Sequence, residues 1–325
     1  MKPILIGGCG RSGTTMLASM LGSHSRVLTV PEFHFKTTVL RRLGTEMSRD
    51  TVPQALALLG EDLLFKSWEL GATVEEASPD DFDGSYRQFV EYFVEQYGRQ
   101  NGKVDVDHWV DHTPVNILHV SFLMRQFPDA KVVHLVRDGR AVAASVLPLD
   151  WGPHSPKRAA ESWSIAVGAG LAAEAALPRE RIMRVRFEDL VERPRAVLER
   201  LCGFVGVAFE PSMEEGAGFR VPRASTKQHA LVGSAPDKRR IGAWEDILAP
   251  RKIEIFEFYA AGMLELLGYP ARYGIHTRPP SRTEHFTMAA ADAVLPYWRK
   301  LRYLKRHDVS RLPAIWKKVR GWKVR

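Results

Sequence analysis

A chain of 325 residues with 45% hydrophobic content is long enough for one large domain with an appendage, or for two smaller domains, around a sizeable core. Its two cysteines, Cys9 and Cys202, exclude a disulfide framework and a cysteine-built metal site, as expected of a protein kept in a reducing cytoplasm. The net charge of +8 is local: residues 296–325 hold eleven Lys or Arg against the single acid Asp308, which leaves residues 1–295 at −2.

In chain order, Ile4-Leu5-Ile6 reads as a short strand, too brief for a signal peptide or a membrane span. The glycine-rich run Gly7 to Gly13 cannot continue it, and Leu17, Met20, Leu21 and His24 then recur at helical spacing. About a hundred residues of mainly helical character follow. One apolar stripe is formed by Val52, Ala55, Leu56, Leu59 and Leu63, and another by Tyr86, Phe89, Val90, Phe93, Val94 and Tyr97, with a loop around residues 78–84 between them. The strand–turn–helix pattern returns at Lys131–Val136, Arg137-Asp138-Gly139-Arg140 and Ala141–Val146. It returns again at Ile182–Phe187, leading into a helix with Pro194 near its first turn. A helix over Lys252–Leu267 closes the sequence of elements. Strands alternating with helices require crossover connections, so the expected fold is α/β with a central, mainly parallel sheet covered on both faces.

Gly8-Cys9-Gly10-Arg11-Ser12-Gly13-Thr14-Thr15 lies between a strand and a helix, where backbone N–H groups and the positive end of the helix dipole can hold an oxyanion. The spacing overlaps the Walker pattern, with Gly8 and Gly13 as its glycines, but Thr14 stands where a nucleotide triphosphatase needs lysine. A tight turn that merely requires glycine is the bland alternative, and the strand before and helix after speak against it.

Arg11-Ser12-Gly13-Thr14-Thr15 resembles the 5′-phosphosulfate loop of sulfotransferases that use 3′-phosphoadenosine 5′-phosphosulfate (PAPS). The likeness is greatest to the tyrosylprotein and carbohydrate branch, in a soluble bacterial-type form. Leu135 to Arg140 followed by Ser145 resembles that family's 3′-phosphate motif. Trp109 to Pro114, Arg186 to Leu190 and Ile241 to Trp244 resemble its D-K-T-P, Y-E-D-L and G-x-W elements in the same order. The resemblance implies a three-layer fold like that of P-loop-containing nucleotide hydrolases. It implies PAPS as co-substrate, with no metal, bound by Gly10, Arg11, Ser12, Gly13, Thr14 and Thr15 at the 5′ end and by Arg137 and Ser145 at the 3′-phosphate. Arg240, in the run Asp237-Lys238-Arg239-Arg240, is a further candidate for that phosphate, or part of a solvated loop.

Sulfuryl transfer, like phosphoryl transfer, relies on in-line positioning and charge stabilisation, so Arg11 and the loop hydroxyls are expected to stabilise the leaving oxygen. A general base must take the acceptor proton, and Glu32 stands where the tyrosylprotein branch carries its own; pairing with a neighbouring cation is its structural alternative. His34 and His112 are rivals for that role. His112 departs from the family, which usually supplies lysine there, so it is expected either to donate a hydrogen bond or to leave the load to Arg11. Phe187 also departs, replacing a common tyrosine and its hydroxyl.

The expected organisation is a sulfotransferase domain over residues 1–275, a linker over 276–293 and a basic amphipathic helical tail over 294–325. Val294, Tyr297, Trp298, Leu301 and Leu304, and after Ser310 also Leu312, Ile315, Trp316, Val319 and Trp322, suit an interfacial anchor on an anionic membrane surface. Packing on the domain or on a second subunit, as in a homo-oligomer, is the alternative. No nucleic-acid-reading module accompanies the charge. The expected acceptor is a hydroxyl-bearing carbohydrate, lipid-linked or phenolic compound, and the expected location is the cytoplasm, peripherally on the inner face of the membrane. A P-loop kinase or nucleoside phosphotransferase is the rival enzyme, and a noncatalytic membrane-surface adaptor the rival of another class.

Overall fold

The computed structural model describes residues 1–307 except Leu63, Asp150, 222–232 and 234–236, with side chains described to residue 295. The elements run β1 (Lys2–Gly8), α1 (Thr14–Gly22), β2 (Val27–Val30), α2 (Phe35–Leu43), α3 (Thr51–Glu61), α4 (Gly71–Glu76), α5 (Tyr86–Gln100), β3 (His108–Asp111), α6 (Val120–Gln126) and β4 (Lys131–Val136). They continue with α7 (Gly139–Val146), α8 (Pro156–Ala176), β5 (Ile182–Arg186), α9 (Phe187–Glu192), α10 (Pro194–Val205), α11 (Trp244–Ile247), α12 (Pro250–Leu266) and α13 (Arg282–His307). The chain forms two compact units, Met1–Arg137 with Ala166–Arg239, and Asp138–Ile165 with Arg240–Arg325.

The first unit holds the sheet, with strand order β2-β3-β1-β4-β5 and every pairing parallel. Side chains alternate across a strand, and β1 uses both sides. Ile4 and Ile6 pack with Leu17 and Leu21 of α1 and with Val133 and Leu135 of β4. Leu5 faces the opposite way, into a cluster with Leu28, Val30, Trp68, Phe89, Phe93 and Trp109. Burial on both faces is what an all-parallel sheet demands, and the result is the expected α/β three-layer architecture.

The strands and helices expected between residues 4 and 267 form, but the helix expected after β5 is divided. Arg193 leaves the helical region at φ −136° and ψ 58°, and Pro194 then opens α10. A residue before proline is disfavoured in the helical region because the ring crowds it. Several elements were not individually anticipated, among them β2, β3 and α8. The strands β2 and β3 have four residues each, too few to show a period. The 21-residue α8 is rich in alanine and glycine, so no apolar stripe marks it.

The second unit is organised by Arg140. Its guanidinium bonds Asp138 (Nε–Oδ1 3.0 Å, Nη2–Oδ2 2.7 Å), Glu257 (2.6 Å) and the Pro270 carbonyl (2.9 Å), and lies 4.0 Å from the Trp244 ring centre. The late G-x-W element thus supplies an arginine platform. Residues 276–293, expected as a linker, are helical from Arg282, and α13 runs into the basic tail as far as His307. The second tail helix, after Ser310, lies outside the described residues. No helix among the described residues is long and apolar enough to cross a membrane.

Within the first unit Glu174 accepts hydrogen bonds from buried His134 (2.6 Å) and from Arg184 Nε (2.9 Å). Burial alone would raise its pKa, but these donors outweigh it and bring the carboxyl from 4.5 to about 2. Because the folded pKa is the lower one, its stabilisation is full above pH 4.5 and is lost as pH falls toward 2. The Tm advantage of wild type over Glu174→Gln should therefore be constant near neutrality and close across that acid window in calorimetric scans.

Candidate active site

All five strands run the same way, so their carboxyl ends share one edge of the sheet, the edge at which open α/β sheets bind ligands. Each end carries a singled-out residue. Following the strand order, these are Glu32 beyond β2, Asp111 and His112 at β3, the glycine loop at β1, Arg137 at β4 and Phe187 at β5. Neighbouring strands are about 4.8 Å apart. The Glu32 strand is therefore two spacings from the loop strand, and the Arg137 strand one spacing on the other side.

In the loop, Gly8 has no room for a side chain, since an added Cβ would stand 2.2 Å from the Leu135 carbonyl oxygen. Arg11 at φ 72° and Gly13 at φ 100° occupy the left-handed region, a strained state for arginine that functional loops often store. Left-handed residues within a turn are the geometry in which successive N–H groups face one point and collect an anion. Gly13 is the N-cap of α1 and no side chain caps the helix, so its first amides remain for a ligand. Ser12, Thr14 and Thr15 are buried, and Ser12 Oγ has no hydrogen-bond partner among the described residues. An added Cβ at Gly10 meets nothing within 4 Å, so space opens there. These features fit the 5′ end of a phosphosulfate.

Arg137 meets this loop directly. Its Nη1 donates to the Arg11 carbonyl at 2.9 Å, and its guanidinium lies 4.1 Å from the Phe187 ring centre. Ser145, half-buried on α7, belongs to the second unit, as does exposed Arg240, at the end of the single turn Lys238–Arg240. In the same run, exposed Arg239 pairs with Asp237 at 3.0 Å.

Glu32 sits on the strap between β2 and α2. Phe33 and Phe35 are buried, their rings 4.2 Å apart and Phe33 4.7 Å from Trp68. Glu32 and His34 alternate with them and stay about one-third exposed, with His34 Nε2 3.0 Å from Glu32 Oε2. Two of the three base candidates therefore form one carboxylate–imidazole pair.

A residue that sequence reasoning missed holds the strap. Lys36, 1% exposed, forms an ion pair with Asp111 Oδ2 at 2.6 Å and donates to the Phe33 carbonyl at 3.0 Å. Asp111 Oδ1 accepts from the Thr113 amide (3.0 Å) and hydroxyl (2.5 Å), and that hydroxyl accepts from the Phe33 amide at 2.7 Å. Tyr86 of α5 donates to the Lys36 carbonyl at 2.9 Å. Burial lowers the Lys36 pKa against the pull of Asp111, and Asp111 stays low because Lys36 and Thr113 outweigh its own burial. The signal available in the sequence was a lysine four residues after Glu32, but a lysine beside Arg41 and Arg42 on a helix reads as surface charge.

His112, 2% exposed, follows Asp111, and neither of its ring nitrogens has a hydrogen-bond partner among the described residues. Its ring and that of Phe219 meet edge to face, 5.1 Å between ring centres. Burial lowers its pKa, and the Glu32 and Asp111 carboxylates act against that shift without reversing it. The imidazole is thus neutral at neutral pH, with one nitrogen able to donate and one to accept. The described residues contain no group of three or more His, Cys, Asp or Glu side chains that could hold a metal ion.

The sequence pattern of the Sulfotransferase family matches residues 3–211. The chain belongs to the sulfotransferase family. It is 24% identical over 220 residues to a protein-tyrosine sulfotransferase of Drosophila melanogaster, spanning 66% of this chain and 40% of that protein. It is 26% identical over 293 residues to nodulation protein NoeE of Sinorhizobium fredii, 81% of this chain and 64% of that one. Among solved structures, the sulfotransferase domain of the Synechococcus PCC 7002 olefin synthase superposes with a TM-score of 0.59 at 22% identity, over 83% of this chain and 94% of that domain. The matched stretches cover less than two thirds of both curated relatives. In this family member the D-K-T-P element reads Asp111-His112-Thr113-Pro114, and its Asp and Thr serve to anchor the strap that carries Glu32.

Breaking the Lys36–Asp111 pair from one side leaves a buried, unpaired carboxylate, so Lys36→Met should cost about 3–5 kcal/mol in urea unfolding. The double variant Lys36→Met/Asp111→Asn should recover part of that loss. Equal loss in single and double variants would show that the two charges are not coupled.

Proposed function

We propose that this chain transfers a sulfuryl group from PAPS to a hydroxyl-bearing acceptor. The observation that carries the reading is the meeting of Arg137 with the loop: the arginine expected at the 3′-phosphate donates into the backbone of the loop expected at the 5′-phosphosulfate. Family membership and the order of residues along the sheet edge support it.

On this reading Gly10, Ser12, Gly13, Thr14, Thr15 and the first amides of α1 hold the 5′-phosphosulfate. Arg137, with Ser145 and Arg240 as further candidates, holds the 3′-phosphate. PAPS supplies the activated sulfuryl group, and Arg11 with the loop N–H groups stabilises charge on the departing oxygen. Glu32 takes the acceptor proton, and His34, bonded to it and partly exposed, offers that proton an onward path. Neutral His112 is a buried group with hydrogen-bonding capacity to spare, suited to orient an oxygen of the transferring group or of the acceptor. Metal ions have no assigned role.

The acceptor is proposed as a carbohydrate, lipid-linked or phenolic hydroxyl. The charge of residues 296–325 supports a cytoplasmic enzyme held peripherally on an anionic membrane surface. A P-loop kinase is disfavoured by Thr14 in the lysine position, and a noncatalytic adaptor by the company of Glu32, His34 and His112.

Calorimetric titration should show adenosine 3′,5′-bisphosphate binding more tightly than AMP or ATP, with Arg137→Ala reducing bisphosphate affinity at least tenfold, a loss of about 1.4 kcal/mol, and leaving AMP nearly unchanged. Tighter ATP binding would sink the assignment. With the donor site intact, Glu32→Gln should lower kcat by about 10²–10⁴ while bisphosphate affinity stays the same. A Glu32→Gln enzyme of full activity would move the base to one of the imidazoles.

A further inference from the structure

Phe187 stands where the family motif commonly has tyrosine, so the hydroxyl is missing and only the ring remains to be explained. That ring makes two contacts within the first unit. Its face lies 4.1 Å from the Arg137 guanidinium carbon. Its edge fills the space beside Gly13 so closely that an added Cβ there would stand 2.6 Å from Phe187 Cδ2. Phe187 is itself 5% exposed, at the start of α9 directly beyond β5. Arg137 completes a circuit by donating to the Arg11 carbonyl, two residues before Gly13.

A guanidinium is a planar group on a long stem, so its orientation is set by what lies against its face as well as by its hydrogen bonds. A ring against that face restricts the tilt of the plane, and the ring quadrupole attracts the cation. The ring here is fixed in turn by Gly13, a residue of the anion loop, so the loop and the arginine are set against one common surface.

We infer that Phe187 is a positioning residue for donor selectivity: its aromatic face holds Arg137 in the orientation that recognises the 3′-phosphate, while its edge keys that arginine to the 5′ loop. The inference rests on the sulfotransferase reading and adds the residue that sets the preference for a 3′-phosphorylated nucleotide. Its effect is confined to ligands that carry the 3′-phosphate. AMP, which lacks it, reports on the loop alone.

The experiment is calorimetric titration of the full chain with adenosine 3′,5′-bisphosphate and with AMP, for wild type, Phe187→Tyr and Phe187→Leu. Leucine keeps an apolar contact toward Gly13 and removes the aromatic face, so the ratio of bisphosphate to AMP affinity should fall about fivefold, mostly through the bisphosphate. Tyrosine keeps the face and should keep the ratio. Since leucine could impair folding, a second series replaces Phe187 with 4-fluoro- and 3,4,5-trifluorophenylalanine, which weaken the ring quadrupole with little change of shape. The ratio should then decline stepwise with fluorination. A ratio unchanged in both series, or an equal loss for both nucleotides, overturns the role of Phe187 while leaving the sulfotransferase reading in place. A wild-type protein with no preference for the bisphosphate overturns both.

Discussion

The geometry of the proposed active site depends on one buried ion pair. Lys36 and Asp111, both excluded from water, join the start of α2 to the end of β3, and Thr113 and the Phe33 backbone complete the connection. Between the fixed points lies the strap that carries Glu32 and His34. A buried pair of this kind gains little net stability, because desolvating two charges offsets most of their attraction. What it supplies is position: neither charge can leave without stranding the other in the core. Around His112, burial favours the neutral imidazole, the Glu32 and Asp111 carboxylates oppose it, and the Lys36 ammonium adds a smaller push the same way as burial.

The second constraint is the direction of the strands. Because all four pairings are parallel, residues far apart in sequence, from Glu32 to Phe187, are delivered to one edge without any direct interaction having to gather them. Position in the strand order then separates roles. The loop lies at the centre, the carboxylate–imidazole pair toward one side, and Arg137 on its Phe187 platform toward the other. Sulfuryl transfer needs such a layout, with an activated donor held between a charge-stabilising loop and a base.

The motif Arg137-Asp138-Gly139-Arg140 shows how neighbouring identical residues acquire different work. Arg137 points its guanidinium at the loop, whereas Arg140 is consumed by Asp138, Glu257 and the Trp244 ring. Both are buried. One is tied to the glycine loop and the other is a structural cross-link of the second unit, a division that residue type alone does not express.

By itself the sequence determined the α/β class, the parallel sheet, the glycine loop before α1 and the family, because these rest on local signals: apolar runs, helical stripes and motifs read over a few consecutive residues. It also singled out Glu32, His34 and His112 as candidates. Tertiary structure alone decided that Glu32 and His34 form a pair, that Lys36 is a core cation rather than a surface charge, and that the Phe187 ring replaces a hydroxyl contact with an arginine platform. It alone placed a helix from Arg282 where proline and polar residues suggested a linker. The physical reason is the range of the interactions. Periodicity is set by neighbours three or four residues away, whereas the partners of Lys36, Arg137 and Arg140 lie 75, 126 and 117 positions from them along the chain, and burial is decided only when those segments meet.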